Sequence, residues 1–329
     1  MKVVIIGSGS WGTALANVLA DNHVDVTIYG INEDQVTDIN ENNQNSFFFK
    51  DILLNSEIKA TGNFSVVEDA DIILIATPSG IVKKICLDLY PILKNPVYII
   101  NVAKGFDPDT NDRLQVTIKD NLKEKLKSCI SLIGPSHAEE VVIGLLTSVN
   151  AVSDDLEAAK IIQKIFSNNY FRVYTNTDVV GAEIGVALKN VMALASGILH
   201  GQKQGDNARA ALMTRGLAEI TRFGVANGAD PQTYLGLCGV GDLIVTCTSV
   251  HSRNYQAGII IGQADSADYF LKNNKKTVEG IKACKSVHAK ASEIGVEMPI
   301  TNEIYSVLYE GKKPSEAIDH LMARSLKSE

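Results

Sequence analysis

Residues 2–13 read Lys-Val-Val-Ile-Ile-Gly-Ser-Gly-Ser-Trp-Gly-Thr, and this stretch determines the fold predicted for the first half of the chain. The apolar run 2–6 predicts a buried strand, and residues 13–19 predict a helix that follows it directly. The glycines between them have the spacing G-x-G-x-x-G, which in this strand–turn–helix context indicates a turn that binds a dinucleotide.

Each glycine of this motif has a predicted physical task. Gly7 permits the tight turn, Gly9 lets the backbone approach a pyrophosphate closely, and Gly12 lets the helix pack against the strand. The amides and the positive dipole end of the helix then face the phosphates. We therefore predict that Gly7, Gly9 and Gly12 bind a dinucleotide cofactor.

Short apolar runs alternate with amphipathic segments in the first half of the chain, whereas helical periodicity dominates the second half. Predicted strands are residues 2–6, 25–29, 71–76, 97–102, 128–133 and 147–152, and predicted helices include 81–90, 156–166, 208–227, 242–250, 286–294 and 300–309. This order predicts an α/β N-terminal Rossmann-like doubly wound sheet plus an all-α C-terminal domain. We expect a dinucleotide-binding domain at 1–177 and a helical substrate-binding domain at 178–329.

Composition excludes several classes of function. A chain of 329 residues suits two domains, and its net charge of −7 argues against nucleic acid as the main partner. The first apolar run is too short for a signal peptide or a membrane span, and Lys272, Lys275 and Lys276 are expected to be solvated surface. The five scattered cysteines predict reduced thiols in a cytoplasmic protein, and the six dispersed histidines predict no metal.

The end of the second predicted strand carries the candidates for contact with the adenosine ribose. Residues 29–33 read Tyr-Gly-Ile-Asn-Glu, so Asn32 or Glu33 is expected to reach the 2′-hydroxyl. No lysine or arginine occurs between Lys2 and Lys50, so no nearby cation is evident for a 2′-phosphate. The sequence therefore predicts NAD or NADP as cofactor, with a preference for NAD.

Three loops follow later strands, at the edge of a doubly wound sheet where ligands bind. Residues 76–79 include Pro78, which is expected to pack against the nicotinamide-side ribose. Lys104 follows a strand directly, which is an unusual place for a lysine that only contacts solvent. In the loop 134–139, Ser136 is either a ligand contact or the N-cap of a following helix.

Residues 239–254 read Gly-Val-Gly-Asp-Leu-Ile-Val-Thr-Cys-Thr-Ser-Val-His-Ser-Arg-Asn and carry the second chemical signal of the chain. Asp242 and Thr246 lie four residues apart, so on a helix they share a face. An alternative role for Asp242 is purely structural, because an aspartate after a glycine is a good N-cap.

Ser252, Arg253 and Asn254 place a hydroxyl, a guanidinium and an amide side by side. These donors are suited to phosphate oxygens, although the same three residues are also compatible with an ordinary polar loop. Together with the dinucleotide motif, the group predicts a dehydrogenase that acts on a small phosphorylated substrate.

Lys189 lies in the middle of an apolar helical segment and is the candidate acid–base group. Its helix face carries the small residues Ala182, Gly185, Ala193 and Ser196. These are expected to let a nicotinamide and a substrate approach the backbone. Catalysis near neutral pH requires the lysine pKa to fall from about 10.4, through partial burial or a second cation such as Lys104. The alternative is a surface lysine whose stem covers apolar residues.

The chain resembles the bacterial-type glycerol-3-phosphate dehydrogenases that use NAD or NADP. The resemblance is carried by residues 7–16 (Gly-Ser-Gly-Ser-Trp-Gly-Thr-Ala-Leu-Ala), 103–105 (Ala-Lys-Gly), 134–138 (Gly-Pro-Ser-His-Ala), 183–190 (Glu-Ile-Gly-Val-Ala-Leu-Lys-Asn), 214–219 (Thr-Arg-Gly-Leu-Ala-Glu), 239–254 and 278–280 (Val-Glu-Gly). These segments span nearly the whole chain in family order. The Lys-Asn pair also resembles that of the wider β-hydroxyacid dehydrogenase superfamily.

This resemblance implies the reversible reduction of dihydroxyacetone phosphate to sn-glycerol 3-phosphate, which supplies glycerophospholipid synthesis. Lys189 is implied as the acid–base lysine, with Lys104 polarising the carbonyl and Asp242 and Thr246 orienting Lys189 and the substrate. Implied substrate contacts are Lys104, Gly134, Ser136, Lys189, Asp242, Ser252, Arg253 and Asn254. Implied cofactor contacts are Ser10, Trp11, Lys104, Ala138, Arg253 and Glu279, beside Gly7, Gly9, Gly12, Asn32 and Pro78.

The chain departs from the family pattern in two places. Ile31 and Asn32 stand where many members have a basic residue or histidine followed by an acid, which affects the predicted cofactor preference. Residues 45–54 lack the usual Tyr-Leu-Pro pattern. The Asn-rich stretch 40–46 and the phenylalanines 47–49 predict a loop that carries an aromatic plug.

Two alternative functions remain open at this point. A 3-hydroxyacid or 6-phosphogluconate dehydrogenase would share the glycines and Lys189, but not the Ser252-Arg253-Asn254 group. A non-catalytic dinucleotide sensor would need neither Lys189 nor Asp242. The apolar helical half is also compatible with a homodimer.

Overall fold

The computed structural model describes residues 1–274 and 277–326. It contains two compact units, Met1–Val179 and the residues from Val180 onward. Lys272 is exposed, as expected, whereas Lys275 and Lys276 lie outside the described residues.

The first unit is built on one eight-stranded sheet, with the strand order β3-β2-β1-β4-β5-β6-β7-β8. The strands are β1 (Lys2–Ile6), β2 (Asp25–Tyr29), β3 (Lys59–Thr61), β4 (Ile72–Ile75), β5 (Val97–Asn101), β6 (Leu126–Ile133), β7 (Thr147–Val152) and β8 (Phe171–Asn176). All neighbouring strands are parallel except β6 and β7, which are antiparallel. The order reverses between β1 and β4, and the carboxyl ends of strands at such a point form a ligand-binding crevice.

Six α-helices accompany the sheet in the first unit. They are α1 (Ser10–Asp21), α2 (Glu33–Asn42), α3 (Val82–Leu89), α4 (Leu114–Leu122), α5 (Ala138–Val141) and α6 (Leu156–Phe166). Successive strand residues point to opposite faces: Val3 and Ile5 of β1 enter one apolar cluster, whereas Val4 and Ile6 enter another. Burial on both faces explains why the strands read as continuous apolar runs.

The predicted Rossmann-like α/β class is confirmed, and strands 2–6, 25–29 and 147–152 have the predicted bounds. The sequence interpretation missed β3, β8, α2 and α4. Strands β3 and β8 are the two edges of the sheet, where β3 has three residues and β8 exposes Arg172 and Tyr174, so neither gives a continuous apolar signal.

The loop after α2 contains an aromatic plug of a single residue. Phe49 is 3% exposed and belongs to the core, whereas Phe47 and Phe48 are 58% and 47% exposed. The prediction of a plug is therefore correct for one of the three phenylalanines.

The second unit is helical among its described residues, as predicted. Its helices are α7 (Val179–Gly201, which begins at the unit boundary), α8 (Asp206–Ala226), α9 (Asp242–Thr248), α10 (Arg253–Ala264), α11 (Asp268–Asn273), α12 (Glu279–Ile294), α13 (Pro299–Tyr309) and α14 (Pro314–Met322). A short π-helix, Leu237–Gly241, runs directly into α9.

Within the described residues, α7 is the one helix that is long and apolar enough to cross a membrane by length and composition. However, 94% of its most apolar 18-residue window is buried inside the protein. A helix that is apolar on all sides and buried in this way is typical of a protein core, so α7 is weak evidence for a membrane span.

The buried carboxylate of Glu219 connects α8 to the start of α13. It accepts hydrogen bonds from the backbone amides of Ile300 and Thr301, each at 2.9 Å, and from the Thr301 hydroxyl at 2.6 Å. These amides lie at a helix N-terminus, where they have no partner within the helix. Burial raises the pKa of Glu219, and the hydrogen bonds oppose this effect.

Candidate active site

In the first unit, the glycine-rich turn has the geometry that the motif predicts. Gly7 has φ +119°, which is a left-handed backbone conformation, and a Cβ on Gly12 would lie 2.2 Å from the Gly7 carbonyl oxygen. By contrast, a Cβ on Gly9 would meet nothing within 4 Å. Gly7 and Gly12 are thus required by the protein itself, while the open side of Gly9 allows close approach of a ligand.

The open turn fits the pyrophosphate of a dinucleotide. Gly9 is the N-cap of α1 and no side chain caps this end of the helix, so its first amides are available to an anion. Ser10 and Trp11 are partly exposed in the first helical turn. At the end of β4, beside Gly7, the hydroxyl oxygen of Thr77 is buried and has no hydrogen-bond partner among the described residues.

At the end of β2, Asn32 is the N-cap of α2. Its side-chain oxygen accepts a hydrogen bond from the Gln35 amide at 3.2 Å, so only its NH₂ group remains to donate to a ribose hydroxyl. Ile31 is 89% exposed beside it. Pro78 is exposed after β4. The ribose contacts of Asn32 and Pro78 stay predictions.

The Lys104 loop is shaped by its neighbours. The side-chain oxygen of Asn101 accepts a hydrogen bond from the Ala103 amide at 3.1 Å, and Gly105 has φ +127°. This turn leaves Lys104 half-buried directly after β5.

In the loop after β6, the predicted alternative that Ser136 is the N-cap of the following helix is wrong. His137, not Ser136, is the N-cap of α5, and the Ser136 hydroxyl donates to the Gly134 carbonyl at 2.9 Å. A Cβ on Gly134 would lie 2.8 Å from the Val149 Cα, so this glycine is required by the packing of β7. Ala138 begins α5 and is buried. The ligand contacts of these residues stay predictions.

In the second unit, Lys189 and Asp242 form a buried ion pair between α7 and α9. Their side chains are 3% and 1% exposed. The Thr246 hydroxyl donates to the Asp242 backbone carbonyl at 2.6 Å and lies 3.5 Å from Asp242 Oδ1. The predicted shared face of Asp242 and Thr246 is therefore confirmed, and Lys189 is not a surface lysine.

The structural alternative for Asp242 is wrong. Asp242 is the first residue of α9, Gly241 precedes it in a helical conformation, and the aspartate side chain makes no capping bond. Its carboxylate is directed at Lys189 instead.

The small residues Gly185 and Ser196 on the Lys189 face of α7 pack closely against backbone of the same unit, which leaves no room there for a ligand. A Cβ on Gly185 would lie 2.6 Å from the Cys238 carbonyl oxygen, and the Ser196 hydroxyl donates to the Cys247 carbonyl at 2.8 Å. The expectation that Gly185 and Ser196 leave room for a nicotinamide is therefore wrong. Their small size brings the π-helix and α9 close enough for Asp242 to reach Lys189.

Two opposing effects act on the charge of Lys189. The adjacent Asp242 carboxylate favours the ammonium form, whereas burial opposes it. The expected lowering of the Lys189 pKa stays a prediction. Beside the pair, burial raises the pKa of the Cys247 thiol to about 12, which excludes this cysteine as a nucleophile near neutral pH.

One oxygen of the pair has no hydrogen-bond partner within the described part of the chain. Asp242 Oδ2 is buried and accepts no hydrogen bond from the described residues. A buried carboxylate oxygen without a donor is costly, and a hydroxyl group of a bound ligand would satisfy it.

Ser252 and Arg253 form the N-terminal end of α10. Ser252 is the buried N-cap, and its oxygen accepts a hydrogen bond from the Tyr255 amide at 3.2 Å. Its hydroxyl hydrogen remains able to donate, and Arg253 is exposed beside it. A helix N-terminus with a hydroxyl and a guanidinium is suited to a phosphate, so these residues are not an ordinary polar loop.

The side chain of Asn254 joins three helices. Its NH₂ group donates to the Asn190 side-chain oxygen at 2.9 Å, and its oxygen accepts from the Gly280 amide at 2.8 Å. A Cβ on Gly280 would lie 2.5 Å from the Asn190 carbonyl oxygen. The contact brings Glu279, the first residue of α12, near the residue that follows Lys189.

Asn190 is a residue near the pair to which the sequence assigns no role, although it belongs to the Lys-Asn pair of the superfamily resemblance. In the structure it is buried and its side-chain oxygen accepts the hydrogen bond from Asn254. Among the described residues, no group of three or more histidine, cysteine, aspartate or glutamate side chains could hold a metal ion.

Two family models cover most of the chain. The N-terminal model of NAD-dependent glycerol-3-phosphate dehydrogenase matches residues 2–159, and the C-terminal model matches residues 178–319. The chain belongs to the NAD-dependent glycerol-3-phosphate dehydrogenase family.

Individual relatives agree with this assignment over the full length. The glycerol-3-phosphate dehydrogenases (NAD(P)+) of Listeria monocytogenes serotype 4b and Staphylococcus epidermidis are each 49% identical to the chain, cover 100% of it, and are themselves covered to 98% and 99%. The crystal structure of glycerol-3-phosphate dehydrogenase from Coxiella burnetii superposes with a TM-score of 0.91 at 32% identity, over 98% of this chain and 99% of that one.

The family assignment confirms the predicted enzyme class and its reaction. The enzyme is an NAD(P)-dependent oxidoreductase of the family that interconverts dihydroxyacetone phosphate and glycerol 3-phosphate, a reaction of lipid metabolism. Both alternatives, a sister dehydrogenase and a non-catalytic sensor, are therefore set aside.

Replacing Lys189 tests the role of the buried pair. We expect Lys189→Ala to lower kcat by at least about 10²-fold, the usual scale of general acid–base catalysis. It also leaves the Asp242 charge buried and unpaired, which we expect to cost about 3–5 kcal/mol of unfolding free energy. Steady-state kinetics and thermal unfolding measure the two effects.

The double variant Lys189→Ala/Asp242→Asn is the matched control, because it removes the unpaired charge. We expect it to recover most of the thermal stability and none of the activity. Near-normal kcat in the single variant would remove Lys189 from the mechanism.

Proposed function

We propose that the two units divide the reaction of this enzyme. Residues 1–177 supply most of the contacts to the NAD(P) cofactor, and residues 178–329 supply the group that protonates dihydroxyacetone phosphate and most of the contacts to its phosphate. The observation that carries the proposal is the buried Lys189–Asp242 pair, in which one oxygen of Asp242 has no donor among the residues that the structure describes.

Proton transfer is assigned to Lys189. When bound, the reduced cofactor supplies the hydride that adds to C2 of the substrate. Lys189 Nζ gives a proton to the C2 oxygen, so that negative charge does not accumulate on it. Asp242 Oδ1 keeps the lysine oriented, and the Thr246 hydroxyl bonds to the backbone carbonyl of Asp242. Asp242 Oδ2 accepts a hydrogen bond from a substrate hydroxyl.

Phosphate recognition is assigned to the start of α10. Ser252, Arg253 and the first amides of this helix supply donors to the phosphate oxygens. Asn254 acts there mainly through its bonds to Asn190 and Gly280, which hold α10 against the Lys189 helix, and its remaining N–H can also contact substrate.

The remaining contacts follow the resemblance. Lys104 binds the substrate and polarises its carbonyl, with Gly134 and Ser136 as further substrate contacts. Cofactor contacts are Gly7, Gly9, Ser10, Trp11, Gly12, Asn32, Pro78, Lys104, Ala138, Arg253 and Glu279. In support, Ser10 and Trp11 lie at the uncapped end of α1, whose N-cap is Gly9.

We also propose a cytoplasmic location and a homodimer. All five cysteines are buried and none forms a disulfide, which suits a reducing compartment. Light scattering coupled to gel filtration measures the assembly, and a mass of one chain would contradict the homodimer.

Loss of reduced-nicotinamide absorbance with dihydroxyacetone phosphate tests the function, run in parallel with NADH and NADPH. We expect turnover with both and a higher kcat/KM with NADH, because no cation stands near Asn32 in the sequence. A higher kcat/KM with NADPH would contradict the preference. Cofactor binding without turnover on this substrate would contradict the function.

Replacing Arg253 tests phosphate recognition. We expect Arg253→Ala to raise the KM for dihydroxyacetone phosphate at least tenfold, since hydrogen bonds to charged groups contribute about 1.5–3 kcal/mol. With unphosphorylated dihydroxyacetone, the variant and the unmodified enzyme should have similar kcat/KM. Arg172→Ala is the control, since Arg172 is an exposed arginine on β8 that stacks on Tyr174. An unchanged KM in Arg253→Ala would refute the assignment.

A further inference from the structure

Asn45 lies in the loop between α2 and β3 and is completely buried, with 0% exposure. Its NH₂ group donates to the Ser8 carbonyl at 2.9 Å and to the Thr13 hydroxyl at 2.9 Å. The backbone carbonyl of Asn45 accepts hydrogen bonds from the amides of Phe48 and Phe49, and Phe49 is anchored in the core. The loop therefore holds Asn45 firmly against the glycine-rich turn.

Ser8 is fixed from two directions. Its hydroxyl donates to the Gln35 side-chain oxygen at 2.5 Å, while its carbonyl accepts from Asn45. Ser8 stands between Gly7 and Gly9, residues whose lack of a side chain leaves the turn with few contacts of its own. The two amide side chains supply contacts that the turn lacks.

The bond from Asn45 also fixes the amide of the next residue. The chain has no cis peptide bonds among its described residues, so the Ser8–Gly9 peptide is trans and planar. In such a peptide the C=O and the N–H point in opposite directions. Because the Ser8 carbonyl points at Asn45, the Gly9 N–H points away from Asn45. Gly9 is itself the N-cap residue of α1, and no side chain caps this end of the helix.

We propose that Asn45 is a positioning residue for the cofactor: Asn45 orients the Gly9 amide before the pyrophosphate binds. This inference rests on the proposed cofactor site at Gly9. A turn that is already oriented pays less conformational entropy on binding, so its effect is expected in cofactor affinity. This role of Asn45 also gives a function to the loop 45–54. The loop lacks the usual Tyr-Leu-Pro pattern of the family but still anchors the turn.

Asn45→Leu is the main test, because leucine keeps the volume and the backbone turn but removes the donor. NADH binding is measured by nicotinamide fluorescence, together with amide hydrogen exchange of residues 7–13 in the protein without cofactor. We expect the Kd for NADH to rise about tenfold, because part of the binding energy must then be used to order the turn. Exchange at Gly9 should accelerate, whereas kcat and the KM for dihydroxyacetone phosphate at saturating NADH should change less than twofold.

Asn45→Ala provides a second variant without the donor if the leucine variant does not fold. Asn55→Ala is the matched control, because Asn55 ties the same loop to α1 through Asp21 at 2.8 Å but does not touch the turn. We expect its Kd for NADH to stay within twofold of that of the unmodified enzyme. An unchanged Kd in the Asn45 variants, or an equal rise in Asn55→Ala, would overturn the proposal.

Gly9→Val separates this proposal from the cofactor site on which it rests. Gly9 has φ −71° and open space at its Cβ position, so valine should leave the fold intact and block the pyrophosphate. NADH binding that persists in Gly9→Val contradicts the cofactor site itself. Loss of binding in Gly9→Val with normal binding in Asn45→Leu contradicts only the role of Asn45.

Discussion

The buried ion pair of Lys189 and Asp242 is the constraint on which the second unit depends. A charged lysine inside an apolar core is tolerated only with a partner, so the fold must bring a carboxylate to the middle of α7. Gly185 makes this possible because it admits the Cys238 carbonyl at close range. The π-helix then leads directly into α9, and Asp242 begins that helix. The packing of the unit and its chemistry therefore have the same origin.

The first unit has a different constraint, which is the stability of its glycine-rich turn. A turn whose backbone amides are left free for a ligand has few side chains to stabilise it. The protein supplies these contacts from outside the turn. Gln35 holds the Ser8 hydroxyl and Asn45 holds its carbonyl, so the Ser8–Gly9 peptide has a defined orientation. The helix end stays free of any side-chain cap. The turn is thus held in place while the amides at this end of α1 stay free of a side-chain cap.

Side-chain amides perform comparable tasks in both units. An asparagine has two donors and an acceptor, so one residue can bond to two separate elements. Asn254 bonds to Asn190 and to Gly280, and thereby connects α7, α10 and α12. Asn45 connects the loop after α2 to the turn before α1. These bonds are neutral, so they hold the elements together without adding charge near the proposed cofactor and phosphate sites.

The pairing of Lys189 with Asp242 is implied only by the family resemblance. Local signals in the sequence determined six of the eight strands, most helices, the glycine-rich turn, and Lys189 and Asp242 as separate candidate residues. These features depend on residue spacing over one or two turns, which the sequence displays directly. Only the tertiary structure decided that Gly185 packs against backbone, that Asn254 joins three helices and that Asn45 reaches Ser8. Each of these contacts links residues far apart in the chain. It depends on how closely two elements approach, and residue spacing carries no information about that distance.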